Sequence, residues 1–271
     1  MINFHLYGFL IGLGILIGII VSEKAKERLA NYSKEYNRFS VWLIFWWVVI
    51  PGLIGARLYH VIDFWEYYQK FPNKIYATWE GGMGIYGGII GGIIGLGLYS
   101  LKVSWSEIKK KSRQRKIFHF LNCSRVNFLQ TADIVVIGLP LGQAIGRLGN
   151  FFNQELYGLP TKLPWGIYIQ PEKRLPGFEG FARFHPLFAY EAIWNIAIFM
   201  YLWFWLPKFA KKRLKGMLFL SYLFLYALGR FFLEFLRLNA WQKGGLTVAQ
   251  WISLLIIGSA SLILVIKKCR I

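Results

Sequence analysis

Seven long apolar stretches constrain this chain more than any other feature of its sequence. A helix needs about 20 mostly apolar residues, each rising about 1.5 Å, to cross the hydrocarbon core of a bilayer. The stretches that meet or nearly meet this length run over residues 4–21, 41–62, 82–101, 132–149, 186–206, 216–235 and 246–266. The sequence therefore predicts an all-α integral membrane protein: one polytopic domain over residues 1–271, built as a bundle of seven transmembrane helices.

The basic residues predict the orientation of this bundle. Of the 32 Lys and Arg residues, 21 lie in residues 22–40, 102–131, 207–215 and the tail after residue 266, whereas 8 lie in the alternate loops. Positive residues favour the cytoplasmic side, so the N-terminus is predicted outside and the C-terminus in the cytoplasm. In a chain that is 56% apolar, a net charge of +19 indicates topology and attraction to anionic membrane lipids. The basic run KKKSRQRK at residues 109–116 is interpreted the same way, and no nucleic-acid partner is expected.

Two further features limit the function classes. Residues 1–4 carry no basic side chain and no small-residue cleavage site follows the first span, so we expect that span to remain as a helix rather than be removed as a secretory signal. The two cysteines, Cys123 and Cys269, are far apart and give no ligand spacing, and no HExxH motif is present. The sequence therefore predicts neither a metal site nor a cofactor.

The third span is rich in glycine. Glycines recur every four residues on two faces, at positions 84, 88 and 92 and again at 87, 91 and 95. Small residues at this spacing allow helices to approach closely in lipid, which predicts helix packing for most of them. As an alternative, Gly87 and Gly88, beside Tyr86, would admit a ligand head group.

Three arginines inside the predicted spans are the strongest indication of function. Arg57, Arg147 and Arg230 each cost about 2.5–3.5 kcal/mol at a bilayer centre unless the charge is offset. The candidate carboxylates are few, namely Glu155, Glu191 and Glu234, the last of which lies one helical turn after Arg230. One interpretation is a set of structural ion pairs. The excess of arginine favours the other, a cationic cavity for an anion, and the planar guanidinium suits a phosphate such as a phospholipid head group.

The densest polar stretch follows Arg147. It reads GRLGNFFNQELYG over residues 146–158 and combines a guanidinium, three amides, a carboxylate and glycines, which is typical of a head-group site. A long loop at residues 150–185 contains four prolines among aromatic residues. We expect this loop to act as a lid or a substrate platform.

Several motifs together point to a known family. They are HLYG at residues 5–8, GAR at 55–57, GGMGIYGG at 81–88, the stretch at 146–158, HPLFAYE at 185–191, GRFFLEFLR at 229–237 and GLTVAQWIS at 245–253. In this order they resemble the bacterial prolipoprotein diacylglyceryl transferase family over nearly the whole chain.

The resemblance implies an enzyme of the bacterial plasma (inner) membrane. It would move the diacylglyceryl group of phosphatidylglycerol to the lipobox cysteine in the signal peptide of a preprolipoprotein, forming a thioether and releasing glycerol 1-phosphate. The implied catalytic residues are Arg147 and Arg230 on the phosphate, Glu234 orienting Arg230, and Tyr86. The implied phosphatidylglycerol-binding residues are Arg147, Asn150, Asn153, Glu155, Gly158, Tyr7, Arg57 and Glu191.

The proton acceptor is where the sequence departs from the family pattern, because Tyr86 stands where the family commonly has histidine. Tyrosine, with an ordinary pKa of about 10, is a poor base for a thiol of about 8.5. Three alternatives are open. Tyr86 binds the head group while water beside the arginines takes the proton, which we favour; Tyr86 is ionised by the arginines; or His5 or His185 is the base.

Two other classes of function are weighed against the enzyme. A lipid or anion transporter would use the arginines during alternating access, but seven spans show no convincing inverted repeat. A structural membrane scaffold would leave the embedded arginines unexplained.

Overall fold

The computed structural model describes residues 6–110, 116–205, 215–238 and 240–269. Its helices are α1 Leu6–Ala30, α2 Val41–Asp63, α3 Trp65–Lys70, α4 Ile85–Lys110, α5 Lys116–Asn153, α6 Leu187–Met200, α7 Met217–Leu233 and α8 Val248–Cys269. Two antiparallel strand pairs are short: β1 Ile167–Tyr168 with β2 Arg183–Phe184, and β3 Gln242–Lys243 with β4 Leu246–Thr247. His5 and most of the basic run at residues 109–116 lie outside the described residues.

Within the described residues, seven helical segments are long and apolar enough to cross a membrane, which confirms the predicted all-α membrane fold. They are Leu6–Ala30, Val41–Asp63, Ile85–Glu107, Leu121–Asn153, Leu187–Phe204, Met217–Leu236 and Val248–Lys267. The boundaries of two predicted loops are wrong. Residues 22–40 and 102–131 were expected to form polar loops, whereas α1 continues to Ala30, α4 continues to Lys110 and α5 already begins at Lys116. The chain divides into two compact units, residues 33–132 and residues 1–32 with 133–271, and each is described on its own.

In the unit of residues 33–132, a polar cluster explains why the helices extend. Arg38 donates to the side chains of Glu107, Asn127 and Gln130, and the Asn127 amide donates to Ser104 at 2.8 Å. Asn127 and Gln130 are fully buried. Because these polar groups satisfy one another, α4 and α5 continue past their apolar segments, which hydropathy alone does not indicate.

The glycines of α4 pack against α2 in the same unit. A Cβ atom at Gly87 would lie 2.1 Å from the carbonyl oxygen of Gly55, and one at Gly91 would lie 2.1 Å from that of Pro51. Both separations are far below contact distance, so the two backbones approach as closely as glycine permits. The packing interpretation is confirmed, and the ligand alternative is wrong at Gly87, because α2 fills that space.

The other unit contains α1, the second part of α5, and α6 to α8. Glycines again allow close approach, since a Cβ atom at Gly138 of α5 would lie 2.1 Å from the carbonyl oxygen of Gly18 in α1. The buried carboxylate of Asp133 accepts backbone hydrogen bonds from Gly216 at 2.6 Å and from Phe219 at 2.9 Å. These amides belong to the start of α7, which lacks intrahelical partners for them, so Asp133 of α5 caps α7 from another helix.

The long segment between α5 and α6 packs around a small apolar core, formed by its residues Tyr157, Ile169 and Phe184 together with Leu238, which follows α7. The Tyr157 hydroxyl donates to the carbonyl oxygen of Lys173 at 2.8 Å and accepts from the amide of Leu175 at 2.7 Å. Burial raises the pKa of Tyr157 above its ordinary value, so the phenol stays protonated and can serve both bonds. The packing gives this loop a defined shape beside the end of α5.

Candidate active site

A buried carboxylate on α6 joins two arginines from different helices. Glu191 Oε2 lies 2.6 Å from Nη2 of Arg147 on α5, and Glu191 Oε1 lies 3.2 Å from Nη1 of Arg230 on α7. The Glu191 side chain is 8% exposed, whereas those of Arg147 and Arg230 are 29% and 23% exposed. The carboxylate therefore holds both guanidinium groups while leaving part of each accessible to a ligand.

A second buried carboxylate extends this arrangement along α7. Glu234 Oε2 lies 2.8 Å from Nη2 of Arg230 and 3.6 Å from Nη1 of Arg237. The predicted pairing of Arg230 with Glu234 is confirmed, and it follows from their spacing of one helical turn. Taken together, Arg147, Arg230 and Arg237 face Glu191 and Glu234, so the cluster carries a net charge of +1. A cluster with this balance attracts an anion, because its two carboxylates do not neutralise its three guanidinium groups.

The end of α5 brings amide and carboxylate groups to the same region. Asn150 is buried and its Oδ1 accepts from Nη1 of Arg147 at 3.4 Å. Asn153 donates from Nδ2 to Glu155 Oε1 at 3.3 Å. Gln154 and Leu156 have φ angles of 55° and 56°, in the left-handed region that non-glycine residues rarely adopt. Two such residues around Glu155 indicate a turn that is held in place by its surroundings, which is common at binding sites.

Two of the predicted lipid-binding residues, Gly158 and Tyr7, lie in tight contact with neighbouring segments of the chain. The Gly158 amide donates to the carbonyl oxygen of His185 at 2.8 Å. A Cβ atom at Gly158 would lie 2.7 Å from the carbonyl oxygen of Leu236. Gly158 therefore fits between two segments that leave no room for a side chain. The Tyr7 ring lies against Gly149, whose Cβ would be 2.5 Å from Tyr7 Cδ2.

Arg57 and Tyr86 belong to the unit of residues 33–132. The buried Arg57 guanidinium donates to five backbone carbonyls, those of Lys74, Ile75, Ala77, Gly81 and Gly82, over distances up to 3.3 Å. This use of its donors was not predicted. It commits the side chain to the loop before α4. Tyr86 lies in the first turn of α4, about half exposed, with its ring centroid 6.0 Å from that of Tyr59.

Of the two histidines considered as bases, only His185 is described. Its Nδ1 lies 3.1 Å from the Tyr190 hydroxyl, which accepts a hydrogen bond from Trp165 Nε1 at 2.8 Å. His185 therefore belongs to a hydrogen-bonded chain that joins the long loop to the first turn of α6. Among the residues with a described structure, no group of three or more His, Cys, Asp or Glu side chains is placed to hold a metal ion.

The sequence analysis missed one part of the site. A small cavity beside the arginine cluster is lined by Glu191, Trp194, Asn195, Tyr226, Gly229, Arg230 and Leu233. Asn195 lies four residues after Glu191, and Tyr226 lies four residues before Arg230. Residues one helical turn apart share a helix face, so Asn195 lies on the face of Glu191 and Tyr226 on that of Arg230. This spacing is the sequence feature that could have identified both residues.

Comparison with known proteins shows the family of the chain. The family model described as prolipoprotein diacylglyceryl transferase matches residues 1–110 and 115–266. Relatives named phosphatidylglycerol–prolipoprotein diacylglyceryl transferase include one from Fervidobacterium nodosum, 40% identical over 251 residues that cover 93% of this chain and 77% of the relative. Another, from Thermosynechococcus vestitus, is 35% identical over 260 residues, 96% of this chain and 87% of the relative. A third, from Clostridioides difficile, is 36% identical over 250 residues, 92% of this chain and 85% of the relative.

The family match covers most of the chain, the relatives exceed 30% identity over more than two thirds of their own length, and the seven apolar helices are those of a multi-pass membrane protein. The chain is therefore a membrane-embedded transferase that belongs to the prolipoprotein diacylglyceryl transferase family.

Proposed function

We propose that this chain transfers the diacylglyceryl group from phosphatidylglycerol to the lipobox cysteine thiol in the signal peptide of a preprolipoprotein. The single observation that carries the proposal is the pair of arginines, Arg147 and Arg230, held by Glu191 in a cluster of net positive charge. Such a cluster inside a membrane protein suits the phosphate of a lipid head group.

The reaction needs stabilisation of a leaving phosphate. The cysteine sulfur attacks a glycerol carbon of the lipid, a C–S bond forms, the C–O bond to phosphate breaks, and its electron pair departs with glycerol 1-phosphate. Negative charge therefore grows on the phosphate oxygens, where Arg147 and Arg230 donate paired hydrogen bonds. Glu234 and Glu191 orient these guanidinium groups, so the donors need not reorganise as the charge develops.

The remaining lipid-binding residues surround the end of α5. We assign the glycerol head group to Asn150, Asn153 and Glu155, with Gly158 giving the close backbone approach that this turn requires. Tyr7 packs beside the same helix end and completes the site. For Arg57, whose donors are taken by carbonyl groups, the contacts support an indirect contribution to lipid binding through the loop before α4.

The thiol proton is assigned to water beside the arginines, whose positive field lowers the pKa of the cysteine. Tyr86 then hydrogen-bonds the head group and is not the base. The alternatives are an ionised Tyr86 or a histidine base. For a His185 base, Nε2 is the nitrogen that would take the proton, because Nδ1 is hydrogen-bonded to the Tyr190 hydroxyl.

The setting proposed for this reaction is the bacterial plasma (inner) membrane, with the N-terminus outside and the C-terminus cytoplasmic. Membrane lipids surround the protein, phosphatidylglycerol is one substrate, and the signal peptide of a preprolipoprotein is the other. The ordered loop between α5 and α6 is assigned the role of a lid or substrate platform, which its small apolar core supports.

The test is transfer by the purified protein in phosphatidylglycerol vesicles. A peptide with a lipobox cysteine should gain the mass of one diacylglyceryl group, and the same peptide with serine in place of cysteine should gain none. Arg230→Ala should abolish the transfer while the protein still inserts and folds, although it should unfold at a lower temperature because Glu191 and Glu234 lose an ion-pair partner. Bound lipid without any transfer would contradict the proposal and favour a lipid transporter.

A further inference from the structure

Two buried side-chain oxygens in the site, Asn195 Oδ1 and Glu234 Oε2, accept no hydrogen bond from the described residues. Glu234 Oε2 is in ionic contact with Arg230 Nη2 at 2.8 Å, whereas Asn195 is uncharged and has no such compensation. Asn195 lies on α6, one turn after Glu191, and is 3% exposed. The neighbouring Trp194, in contrast, donates from Nε1 to the carbonyl oxygen of Leu225 at 2.9 Å. An amide oxygen buried in this way costs free energy unless a donor reaches it.

The position of Asn195 indicates where that donor comes from. The side chain lines the small cavity beside the cluster, together with Glu191 and Arg230, and the cavity has room for about one water-sized polar group. Gly229 forms another wall, where a Cβ atom would lie 2.1 Å from Trp194 Nε1. The cavity is therefore narrow, and a group inside it lies next to the arginine proposed to bind phosphate.

The chemistry of the substrate narrows the choice of donor. Ionised phosphate oxygens and ester carbonyls only accept hydrogen bonds, so neither satisfies an amide oxygen. A hydroxyl donates, and its size matches the space. The head group of phosphatidylglycerol carries hydroxyls close to its phosphate.

We propose that Asn195 accepts a hydrogen bond from a head-group hydroxyl of phosphatidylglycerol and thereby selects lipids that carry a hydroxylated head group. This inference rests on the proposed transferase function. It makes Asn195 a specificity residue, because a site built to bind a hydroxyl rejects a lipid that lacks one: its buried oxygen is then left without a partner.

The experiment compares two lipids that differ only in this group. Phosphatidylpropanol has the phosphate and ester linkages of phosphatidylglycerol but no head-group hydroxyl. With matched acyl chains and one lipobox peptide, the wild-type protein should use phosphatidylglycerol with a kcat/KM at least about tenfold higher. Asn195→Leu should lower kcat/KM for phosphatidylglycerol about tenfold and leave that for phosphatidylpropanol within about twofold. Asn195→Ala, which removes the acceptor without adding volume, should do the same if the leucine variant does not fold.

The ratio of the two kcat/KM values separates selectivity from a structural effect. An equal loss of kcat/KM with both lipids in either variant would overturn the proposal. That result would mean that Asn195 binds only water or only supports the helix. A wild-type protein that uses both lipids equally well would also overturn it. If the wild-type protein transferred from neither lipid, the proposed function would fail, and that outcome is distinct from a change in the ratio.

Discussion

Replacing Glu191 with glutamine should break the arrangement of the two arginines. Glutamine keeps the shape of the side chain but removes its charge, and its amide nitrogen is a donor that faces guanidinium donors. Since the carboxylate contacts Arg147 at 2.6 Å and Arg230 at 3.2 Å, one of these contacts is lost outright and the other loses its charge assistance. The two guanidinium groups would then repel each other and leave their paired orientation.

The magnitude follows from burial. Removing one partner of a buried ion pair costs about 3–5 kcal/mol. The two arginine side chains are about a quarter exposed, so solvent screens part of this loss, and we expect about 2–4 kcal/mol. If the transition state requires both guanidinium groups in place, kcat/KM for transfer falls by about 30- to 1,000-fold, at about 1.36 kcal/mol for each factor of ten.

The assay is the vesicle transfer reaction with the lipobox peptide, run beside thermal unfolding of each variant. Glu172→Gln is the matched control, since it makes the same chemical change on an exposed side chain in the long loop. The control should keep kcat/KM within about twofold. A folded Glu191→Gln protein with activity within about threefold of wild type would refute the reasoning, because the arginine pair would then not need its carboxylate bridge.

Four further changes have defined outcomes. Asp133→Ala removes the cap of α7 and should lower the free energy of unfolding by about 1–3 kcal/mol, measured by denaturant titration in detergent, with Asp133→Asn losing less. Tyr86→Phe should lower the transfer rate only partly, and complete loss of transfer with lipid still bound would contradict a head-group role. Arg57→Lys cannot serve five carbonyls from one nitrogen, so limited proteolysis should cut residues 72–82 faster than in wild type. Backbone hydrogen bonds, first from its own amide and then from that of Gly177, hold the pKa of Glu179 below its ordinary value. The turn is therefore stabilised at pH above the ordinary pKa, and this stabilisation is lost as pH falls through the lowered pKa. The chemical shift of the Gly177 amide in NMR should titrate with a midpoint below that of an ordinary glutamate, and Glu179→Gln should abolish the titration.

The sequence was sufficient for features that depend on local spacing or segment length. Seven apolar stretches predict seven spanning helices because the thickness of the bilayer sets a minimum length. The pairing of Arg230 with Glu234 follows from the geometry of a single helix. The glycines of α4 predict a close helix contact for the same kind of reason, although the helix they meet, α2, is not specified by their spacing.

Features that depend on tertiary contacts or on backbone groups were not predictable. Glu191 was one of several candidate carboxylates, and only the packing of α5, α6 and α7 makes it the bridge between two arginines. The five partners of Arg57 are carbonyl groups, which every residue carries and which therefore leave no mark in a sequence. The predicted loop at residues 102–131 was wrong because Arg38, distant in sequence, satisfies the side chains of Glu107, Asn127 and Gln130 within it.

The cap on α7 has a consequence at the far end of that helix. The peptide dipoles of α7 sum to a partial positive charge at its start and a partial negative charge at its end. The Asp133 carboxylate lies at the start and Arg230 lies in the last turn, so each full charge meets a partial charge of opposite sign. Each interaction contributes about 0.3–2 kcal/mol, and the contribution is larger where the charge is shielded from water. The last turn of α7 thus offsets part of the free-energy cost of placing the Arg230 charge within the bilayer, and this contribution requires that turn to stay helical.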